Sequence, residues 1–271
     1  MFKIIFLYWW QEKRNDRKEN YGDLLSKYLV KKISKNIVVS VGHPLKGLHK
    51  YFFKNYLVIG SIITAASKQS MVWGSGIIKK DENVRAATFL AVRGPKTRQR
   101  LLDLGYDCPE IYGDPAILLP LYYPVAPKKR YKIGIIPHYV DYQFVKSNVA
   151  DSAIKVIDLM TTDVEQTTRE ILECEYIISS SLHGLIVPQA YNVPALWVKF
   201  SEKLSGDNIK FYDYFASMGI DFTNEITLDA DSIKLDTLEG LLKDYATALL
   251  PESSVLKQRQ TELMASCPFN K

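Results

Sequence analysis

The chain lacks the features that mark several classes of protein. It has only three cysteines among its 271 residues, scattered at Cys108, Cys174 and Cys267, with no CxxC pair. An odd and scattered set argues against a disulfide framework and a structural zinc site, and it fits a reducing cytoplasm. No stretch approaches the roughly 20 consecutive apolar residues that a membrane-spanning helix needs.

Long basic runs are missing as well, and no leader sequence is expected. The net charge of +5 is mild, and no Lys/Arg run or aromatic-basic repeat accompanies it, so nucleic acid is not an expected partner. A mildly basic chain instead suits a small anionic substrate or a membrane surface. The N-terminal MFKIIFLYWW has a short apolar run with no cleavage site and is followed by QEKRNDRKEN. We interpret it as a buried first strand rather than a signal peptide.

Strand-like and helix-like segments alternate in the first block of the chain. Helices are predicted over GDLLSKYLVKKI, with a cap at Asp23, and over GPKTRQRLLDLG, with Pro95 in the first turn. The predicted strands are Lys3–Tyr8, Ile37–Val41, Tyr56–Gly60, Ser70–Trp73, Thr88–Val92 and a segment near Glu110–Tyr112.

The segment Pro120–Arg130 contains three prolines and a basic cluster and is predicted to be a linker. The alternation then restarts. Strands are predicted at Lys132–Ile136, Lys155–Leu159, Tyr176–Ser179 and Ala195–Val198, and helices at Asp163–Cys174, from about Leu182, and around Asp207–Met218, Leu235–Leu249 and Glu252–Met264.

Such alternation predicts an α/β fold in which parallel sheets are covered on both faces. Two blocks joined by a linker predict two Rossmann-like domains, residues 1–124 and 125–271, facing a cleft. Ligands of such sheets bind beyond the carboxyl ends of the strands, so the residues that follow each strand are the candidates for function. By analogy with other two-domain folds, we expect the last helical segment to pack back onto the first domain.

His183 is the first candidate for chemistry. It lies in IISSSLHGLIVPQA, where a predicted strand ends near Ser179 and a helix begins within a few residues. The free N–H groups and the dipole at such a helix start favour phosphate or carboxylate. A histidine there could bind an anion and donate a proton. The alternative is a histidine that is satisfied inside the domain core.

Two segments of the first block also follow predicted strands. In VWGSGI, Gly74 and Ser75 lie where the backbone could approach a ligand closely, or where the chain only turns. In AVRGPKTRQRLL, Arg93 precedes a helix start. Its guanidinium suits a carboxylate or a phosphate, and a solvated arginine is the alternative.

The remaining candidates carry acid, base or positive charge. Three of them, Asp23, Asp114 and His138, each follow a predicted strand. The alternatives to a role in the site are a helix cap for Asp23, an Asp-Pro turn for Asp114 and a surface position for His138. Lysines follow the last predicted strand and could reach the cleft or be solvated: Lys199, Lys203 and Lys210. His43 and His49 form no metal-binding spacing with the other histidines, so no metal is expected.

Taken in order, six segments resemble the polysaccharide pyruvyl transferase family, and most closely its short bacterial exopolysaccharide members. They spread from Asn20 to Val198, and their ordered set is specific although each is weak alone. The segments are NYGDLLSKYL, VWGSGI, VRGPKTRQRLLDLG, YGDPAILLP, IGIIPHYVD and SSSLHGLIVPQAYNVPALWV.

The resemblance implies a two-domain, GT-B-like fold and a ketal pyruvyltransferase activity. Pyruvate would pass from phosphoenolpyruvate to two hydroxyls of a sugar and form a cyclic ketal, with no cofactor, nucleotide or essential metal. The family's functional histidine corresponds to His183 and its donor-binding arginine to Arg93. A basic residue after the next strand corresponds to Lys203.

One position departs from the family pattern. Some members have arginine two positions before the motif histidine, where this chain has Ser181. Ser181 and Leu182 at the helix N-terminus, or Lys203 or Lys210, are therefore expected to hold the donor. His183 is the expected acid toward the methylene carbon of phosphoenolpyruvate.

The base for the sugar hydroxyls is left open among Asp23, Asp114 and His138, and Gly74 and Ser75 are assigned to the acceptor side. Two other hypotheses are a sugar-nucleotide-dependent glycosyltransferase of the same fold and a non-catalytic carbohydrate-binding module. The family and the missing leader predict a cytoplasmic protein with peripheral contact to the inner face of the membrane, and its acceptor is expected to be a lipid-linked glycan.

Overall fold

The computed structural model describes residues 3–12, 15–46 and 53–269. The strands in chain order are β1 (Ile4–Tyr8), β2 (Glu19–Asn20), β3 (Ile37–Ser40), β4 (Asn55–Leu57), β5 (Ser70–Trp73), β6 (Thr88–Ala91), β7 (Tyr131–Ile136), β8 (Ile154–Val156), β9 (Met160–Thr161), β10 (Cys174–Ser179) and β11 (Ala195–Trp197). The helices are α1 (Tyr21–Ser34), α2 (Pro95–Asp103), α3 (Leu119–Tyr122), α4 (Tyr142–Asn148), α5 (Val164–Leu172), α6 (His183–Ala190), α7 (Ile209–Met218), α8 (Leu235–Asp244) and α9 (Ser253–Ala265).

Two parallel sheets organise the chain. The five-stranded N-terminal sheet has the order β3-β1-β4-β5-β6, and the four-stranded C-terminal sheet has the order β11-β10-β7-β8. A short antiparallel pair, β2 with β9, connects the two halves through Glu19 opposite Thr161. The central strand β7 is apolar on both sides, with Ile133, Ile135 and Ile136 fully buried, as expected for a parallel sheet covered on both faces. The predicted α/β fold with parallel sheets is confirmed.

Helix α1 begins one turn earlier than the sequence analysis predicted. Asn20, not Asp23, is the N-cap, and its side chain accepts a hydrogen bond of 3.0 Å from the backbone N–H of Gly22. Asp23 therefore lies inside the first turn, where its carboxylate is favoured by the helix dipole. Because Asp23 does not cap the helix, its carboxylate remains available for a functional site.

Several predicted bounds of strands and helices also differ from those in the structure. Near Glu110–Tyr112 the structure has only an isolated bridge between Val92 and Tyr112. The strand predicted at Lys155–Leu159 is replaced by the two short strands β8 and β9, and the long helix predicted from Leu235 ends at Asp244, before a 3-10 turn. Helix α3 occupies the start of the predicted linker, and α4 was not predicted at all.

The last helix lies against the N-terminal half. The indole N–H of Trp73 donates to the carbonyl of Leu263 and to Ser266 Oγ, both at 3.1 Å. Beyond the helix, the ring of Phe269 packs 4.9 Å from that of Tyr56. No helix in the described ranges is both long and apolar enough to cross a membrane.

Candidate active site

The order of the strands places a binding crevice in each sheet. In the N-terminal sheet, β3 and β4 lie on opposite sides of β1, so the sheet changes its direction of growth between β1 and β4. The same change falls between β7 and β10 in the C-terminal sheet. Open parallel sheets bind ligands beyond the carboxyl ends of the strands at such switch points.

A cavity of about 470 Å³ lies beyond the ends of these four strands. Tyr8 and Gly60 line it from β1 and β4, and His138 and Ser181 line it from β7 and β10. The acid, base and cationic side chains that line it are Glu12, Asp23, His43, His138, His183 and Lys210. Six of the predicted site residues therefore share this cavity: Asp23, His138, Ser181, Leu182, His183 and Lys210.

His183 opens α6 and is held between two neighbours. A Cβ added to Gly22 would lie 2.0 Å from His183 Nδ1, so only glycine at this position lets α1 approach the imidazole so closely. On the other edge of the ring, Nε2 lies 3.5 Å from Asp114 Oδ2. Both atoms are shielded from solvent and have no hydrogen-bond partner among the described residues, so each faces the other as its complementary group.

The backbone around His183 is fixed by serine and glycine. Ser179 Oγ donates to the carbonyl of Ile136 at 2.8 Å and accepts from the N–H of Ser181 at 2.9 Å. A Cβ on Gly184 would lie 2.2 Å from that hydroxyl. These contacts hold the start of α6 against the cavity. The first N–H groups of a helix have no acceptor within the helix itself.

Asp23 and Lys210 have strongly shifted acid-base properties. Burial raises the pKa of Asp23 to about 7, an effect that His183 partly offsets. Burial, and then the positive charge of Arg93, lowers the pKa of Lys210 to about 8. A carboxylate that titrates near neutral pH is suited to general base catalysis, and perturbed groups of this kind are concentrated at functional sites.

His138 has a different character. Burial, followed by the charge of Lys210, lowers its pKa to about 4, so the imidazole is neutral at physiological pH. Its Nδ1 is buried without a hydrogen-bond partner in the described part of the chain, and its ring packs 4.3 Å from that of Tyr139 at an interplanar angle of 35°. It is a weaker base than Asp23.

Arg93 is fully buried and does not line the cavity. Its guanidinium donates to Asp213 Oδ2 at 3.1 Å, to the carbonyl of Ile77 at 2.5 Å and to Ser61 Oγ at 2.7 Å. A Cβ on Gly76 would lie 2.5 Å from the centre of the guanidinium. Arg93 therefore lies one layer behind the cavity, and its direct contact with the lining is Ser61.

Four other predicted site residues lie outside the lining. Asp114 is fully buried behind His183, and Lys203 is exposed at the surface. Gly74 has a positive φ of 94° and would bring a Cβ within 2.1 Å of Pro115, so it serves the turn. Ser75 Oγ donates to the carbonyl of Gly60 at 2.8 Å and supports a loop that lines the cavity.

The sequence analysis missed Asp213, Trp10 and Glu12. Asp213 lies in the aromatic segment FYDYF of α7, and a carboxylate inside an apolar helix face is a signal that a buried partner exists. Trp10 and Glu12 follow the first strand and line the cavity, so their position beyond a strand end was the signal for them. Within the described residues, no three or more His, Cys, Asp or Glu side chains are grouped so that they could hold a metal ion.

The protein has an α/β fold with two parallel sheets. The cavity at their switch points is lined by acid, base and cationic side chains, as the active site of an enzyme is. The sequence profile of the polysaccharide pyruvyl transferase family matches residues 4–201, and the chain belongs to this family. The family is one of transferases that move pyruvate to polysaccharides. The chain is also similar to the uncharacterized protein L143 of Acanthamoeba polyphaga mimivirus, with 33% identity over 210 residues that cover 74% of this chain and 72% of the relative.

Proposed function

We propose that the protein transfers pyruvate from phosphoenolpyruvate to two hydroxyls of one sugar in a polysaccharide precursor and forms a cyclic ketal. The observation that carries this proposal is that His183, Asp23 and Lys210 line one cavity. An acid, a base and a cation are the groups that this reaction needs. The proposal includes a GT-B-like arrangement, in which residues 1–124 and 125–271 form two Rossmann-like domains that face the cavity.

The donor carries a phosphate and a carboxylate, so its site needs positive charge and hydrogen-bond donors. Lys210 provides the charge in the lining, and the Ser181 hydroxyl together with the start of α6 at Leu182 and His183 provides the donors. This assignment explains how the chain dispenses with an arginine at position 181. Arg93, close behind the wall, is paired with Asp213 and does not touch the donor, and Lys203 is too exposed to be the main cation.

Asp114 acts through His183. With a proton on Nε2 directed at the carboxylate, Nδ1 becomes the nitrogen that exchanges a proton with the substrate, and it lies on the Gly22 side of the ring. A buried carboxylate fixes both the tautomer and the orientation of a histidine in this way. It also stabilises the imidazolium from which the proton is donated.

The reaction balances with these groups. His183 gives a proton to the methylene carbon of phosphoenolpyruvate, which becomes a methyl group, and C2 becomes electrophilic. Asp23 takes the proton of the first sugar hydroxyl as its oxygen forms a bond to C2. The C2–O bond to phosphate then breaks, and the second hydroxyl bonds to C2 as it loses its proton. One hydroxyl proton replaces that given by His183, and the other leaves with phosphate.

The acceptor in this proposal is a lipid-linked glycan, modified in the cytoplasm by a protein in peripheral contact with the membrane. The mild positive charge of the chain supports such contact. Fractionation of the native host cells tests the location, and recovery mainly outside the cytoplasm and inner membrane would contradict it.

The activity is tested by phosphate release from phosphoenolpyruvate with a panel of glycans. Wild type is expected to release phosphate with at least one acceptor, and His183→Ala is expected to lose this release while it keeps its thermal unfolding midpoint. Turnover that is unchanged in His183→Ala would overturn the assignment of the acid. Cleavage of a sugar nucleotide without any release from phosphoenolpyruvate would favour the glycosyltransferase hypothesis instead.

A further inference from the structure

Two consecutive tryptophans after β1 have opposite environments. Trp9 is only 3% exposed, and its indole N–H donates to Glu19 Oε2 at 3.0 Å. Trp10 is 53% exposed and lines the cavity. An exposed aromatic side chain in the lining of a cavity can bind a ligand, because burial by the ligand removes its apolar area from water.

Tyr139 lies in the same lining but comes from the C-terminal half. It is 39% exposed, and its ring packs against that of His138 in a tilted arrangement. Partial burial, and then the carboxylate of Glu12, raises the pKa of its hydroxyl. Glu12 therefore lies beside Tyr139 although it belongs to the loop that carries Trp10. The two exposed rings reach the cavity from opposite halves of the chain.

Polar groups accompany these rings. The Glu12 carboxylate and the Asn20 side chain line the cavity with them, and Asp23 follows on the first turn of α1. Flat apolar faces edged by hydrogen-bonding groups match a pyranose ring, which has C–H groups on its faces and hydroxyls on its rim. An acyl chain would cover these polar groups without replacing their hydrogen bonds to water, which is costly.

We propose that Trp10 and Tyr139 form the acceptor subsite and hold one pyranose ring of the glycan by stacking, with Glu12 and Asn20 bonded to its hydroxyls. This assignment rests on the proposed function for the identity of the acceptor as a glycan. The ring bound there presents its hydroxyl pair to Asp23, deeper in the same cavity. The subsite thus selects the sugar, whereas His183 and Lys210 handle the donor.

Tryptophan fluorescence gives a direct test, because the chain has four tryptophans and Trp9, Trp73 and Trp197 are buried. Quenching by iodide therefore reports mainly on Trp10. Methyl glycosides of galactose, glucose, mannose and N-acetylglucosamine are the probes, added without phosphoenolpyruvate. At least one is expected to lower the iodide quenching constant about twofold or more, and Tyr139→Ala is expected to weaken its binding roughly tenfold.

Phe144 provides the matched control. It is an aromatic residue with 40% exposure that does not line the cavity, so Phe144→Ala is expected to leave glycoside binding unchanged. In the transfer assay, Trp10→Ala is expected to raise the KM for the acceptor without changing the KM for phosphoenolpyruvate. An equal loss of binding in Phe144→Ala would overturn the subsite.

The outcomes separate this inference from the proposed function. Protection of Trp10 by a glycoside, without phosphate release from phosphoenolpyruvate, would support the subsite and contradict the transfer reaction. Phosphate release in the presence of a glycan that leaves Trp10 fully quenchable would overturn the subsite and keep the reaction. Protection by anionic phosphatidylglycerol vesicles but by none of the glycosides would also overturn it, and would identify the rings as a membrane contact.

Discussion

Arg93 Nε lies 3.1 Å from Asp213 Oδ2, and both side chains are fully buried. Asp213 also accepts hydrogen bonds from the backbone N–H groups of Lys96 and Thr97 and from Thr97 Oγ1. The Asp213 carboxylate on α7 therefore caps the N-terminus of α2 and neutralises the charge of Arg93, which lies just before α2. The pair connects the N-terminal half to the C-terminal half, directly behind the cavity wall at Ser61.

The first prediction concerns the stability of this pair. Arg93→Ala or Asp213→Ala leaves a buried charge without its partner, which typically costs about 3–5 kcal/mol. The double variant is expected to lose clearly less than the sum, since the two groups interact directly. Urea unfolding monitored by circular dichroism measures both effects. The exposed pair Lys132–Glu175 is the control, and its variants are expected to unfold close to wild type.

Additive losses in the Arg93 and Asp213 variants would contradict the coupling. A further variant, Arg93→Lys, separates stability from donor binding. If Arg93 acts from behind the wall, a folded Arg93→Lys variant is expected to change the KM for phosphoenolpyruvate less than a change at Lys210 does.

The second prediction addresses Asp114. In Asp114→Asn, the amide donates toward His183 Nε2 and favours the tautomer with its proton on Nδ1, so phosphate release is expected to fall at least roughly tenfold. The ¹⁵N shifts of the four histidines report the tautomer directly. Asp141→Asn, a change at another buried carboxylate, is the control. An unchanged His183 tautomer in Asp114→Asn would rule out the positioning role.

The third prediction compares two lysines that follow the same strand. Lys210→Ala is expected to raise the KM for phosphoenolpyruvate by roughly 10- to 100-fold, because a charge-assisted hydrogen bond contributes about 1.5–3 kcal/mol. Lys203→Ala removes an equal charge from an exposed position and is expected to change little. Steady-state kinetics at saturating acceptor decide between them. Equal effects would indicate a long-range contribution of charge rather than contact.

The local pattern of the sequence was sufficient to predict the sheets. The strand Ser70–Trp73 was predicted with its observed bounds, and the segment around His183 was correctly placed at the junction of a strand and a helix. Short apolar runs between turn residues carry this information within a few positions. The rule that ligands bind beyond strand ends then selected six residues of the cavity lining.

What could not be predicted depends on long-range contact. Arg93 and Asp213 are 120 positions apart, and nothing next to Arg93 in the sequence shows that its charge is already neutralised. The choice between Lys203 and Lys210 depends on how the loop after β11 folds. Asp114 was considered as a base, but its place behind His183 results from the packing of α6 against the turn that follows Asp114.

The fourth prediction concerns the contact between α1 and the histidine. Gly22→Ala places a methyl group 2.0 Å from His183 Nδ1, so the ring must move and the activity is expected to fall at least roughly tenfold, as misplacement of a catalytic group by about 1 Å can cost more than this. Gly240→Ala in α8 has no atom within 4 Å of the new methyl group and is the control. Near-native activity in a folded Gly22→Ala variant would show that the imidazole is not held where the chemistry requires it.

The fifth prediction is the pH dependence of kcat/KM, which reports ionisations in the free enzyme. Asp23 must be deprotonated to act as a base, and its pKa is raised to about 7, so the rate is expected to rise with pH through about 7. Lys210 must be protonated to hold the donor, and its pKa is lowered to about 8, so the rate is expected to fall above about 8.

Two variants assign these limbs of the profile. Lys210→Arg keeps its charge at high pH, so the alkaline limb is expected to move upward, whereas Lys203→Arg should leave it in place. Asp23→Asn is expected to lower the rate and flatten the rise near neutral pH, and any remaining rise would belong to the donor phosphate, which titrates near pH 6. An alkaline limb that is identical in Lys210→Arg and wild type would show that the ionisation of Lys210 does not set this limb.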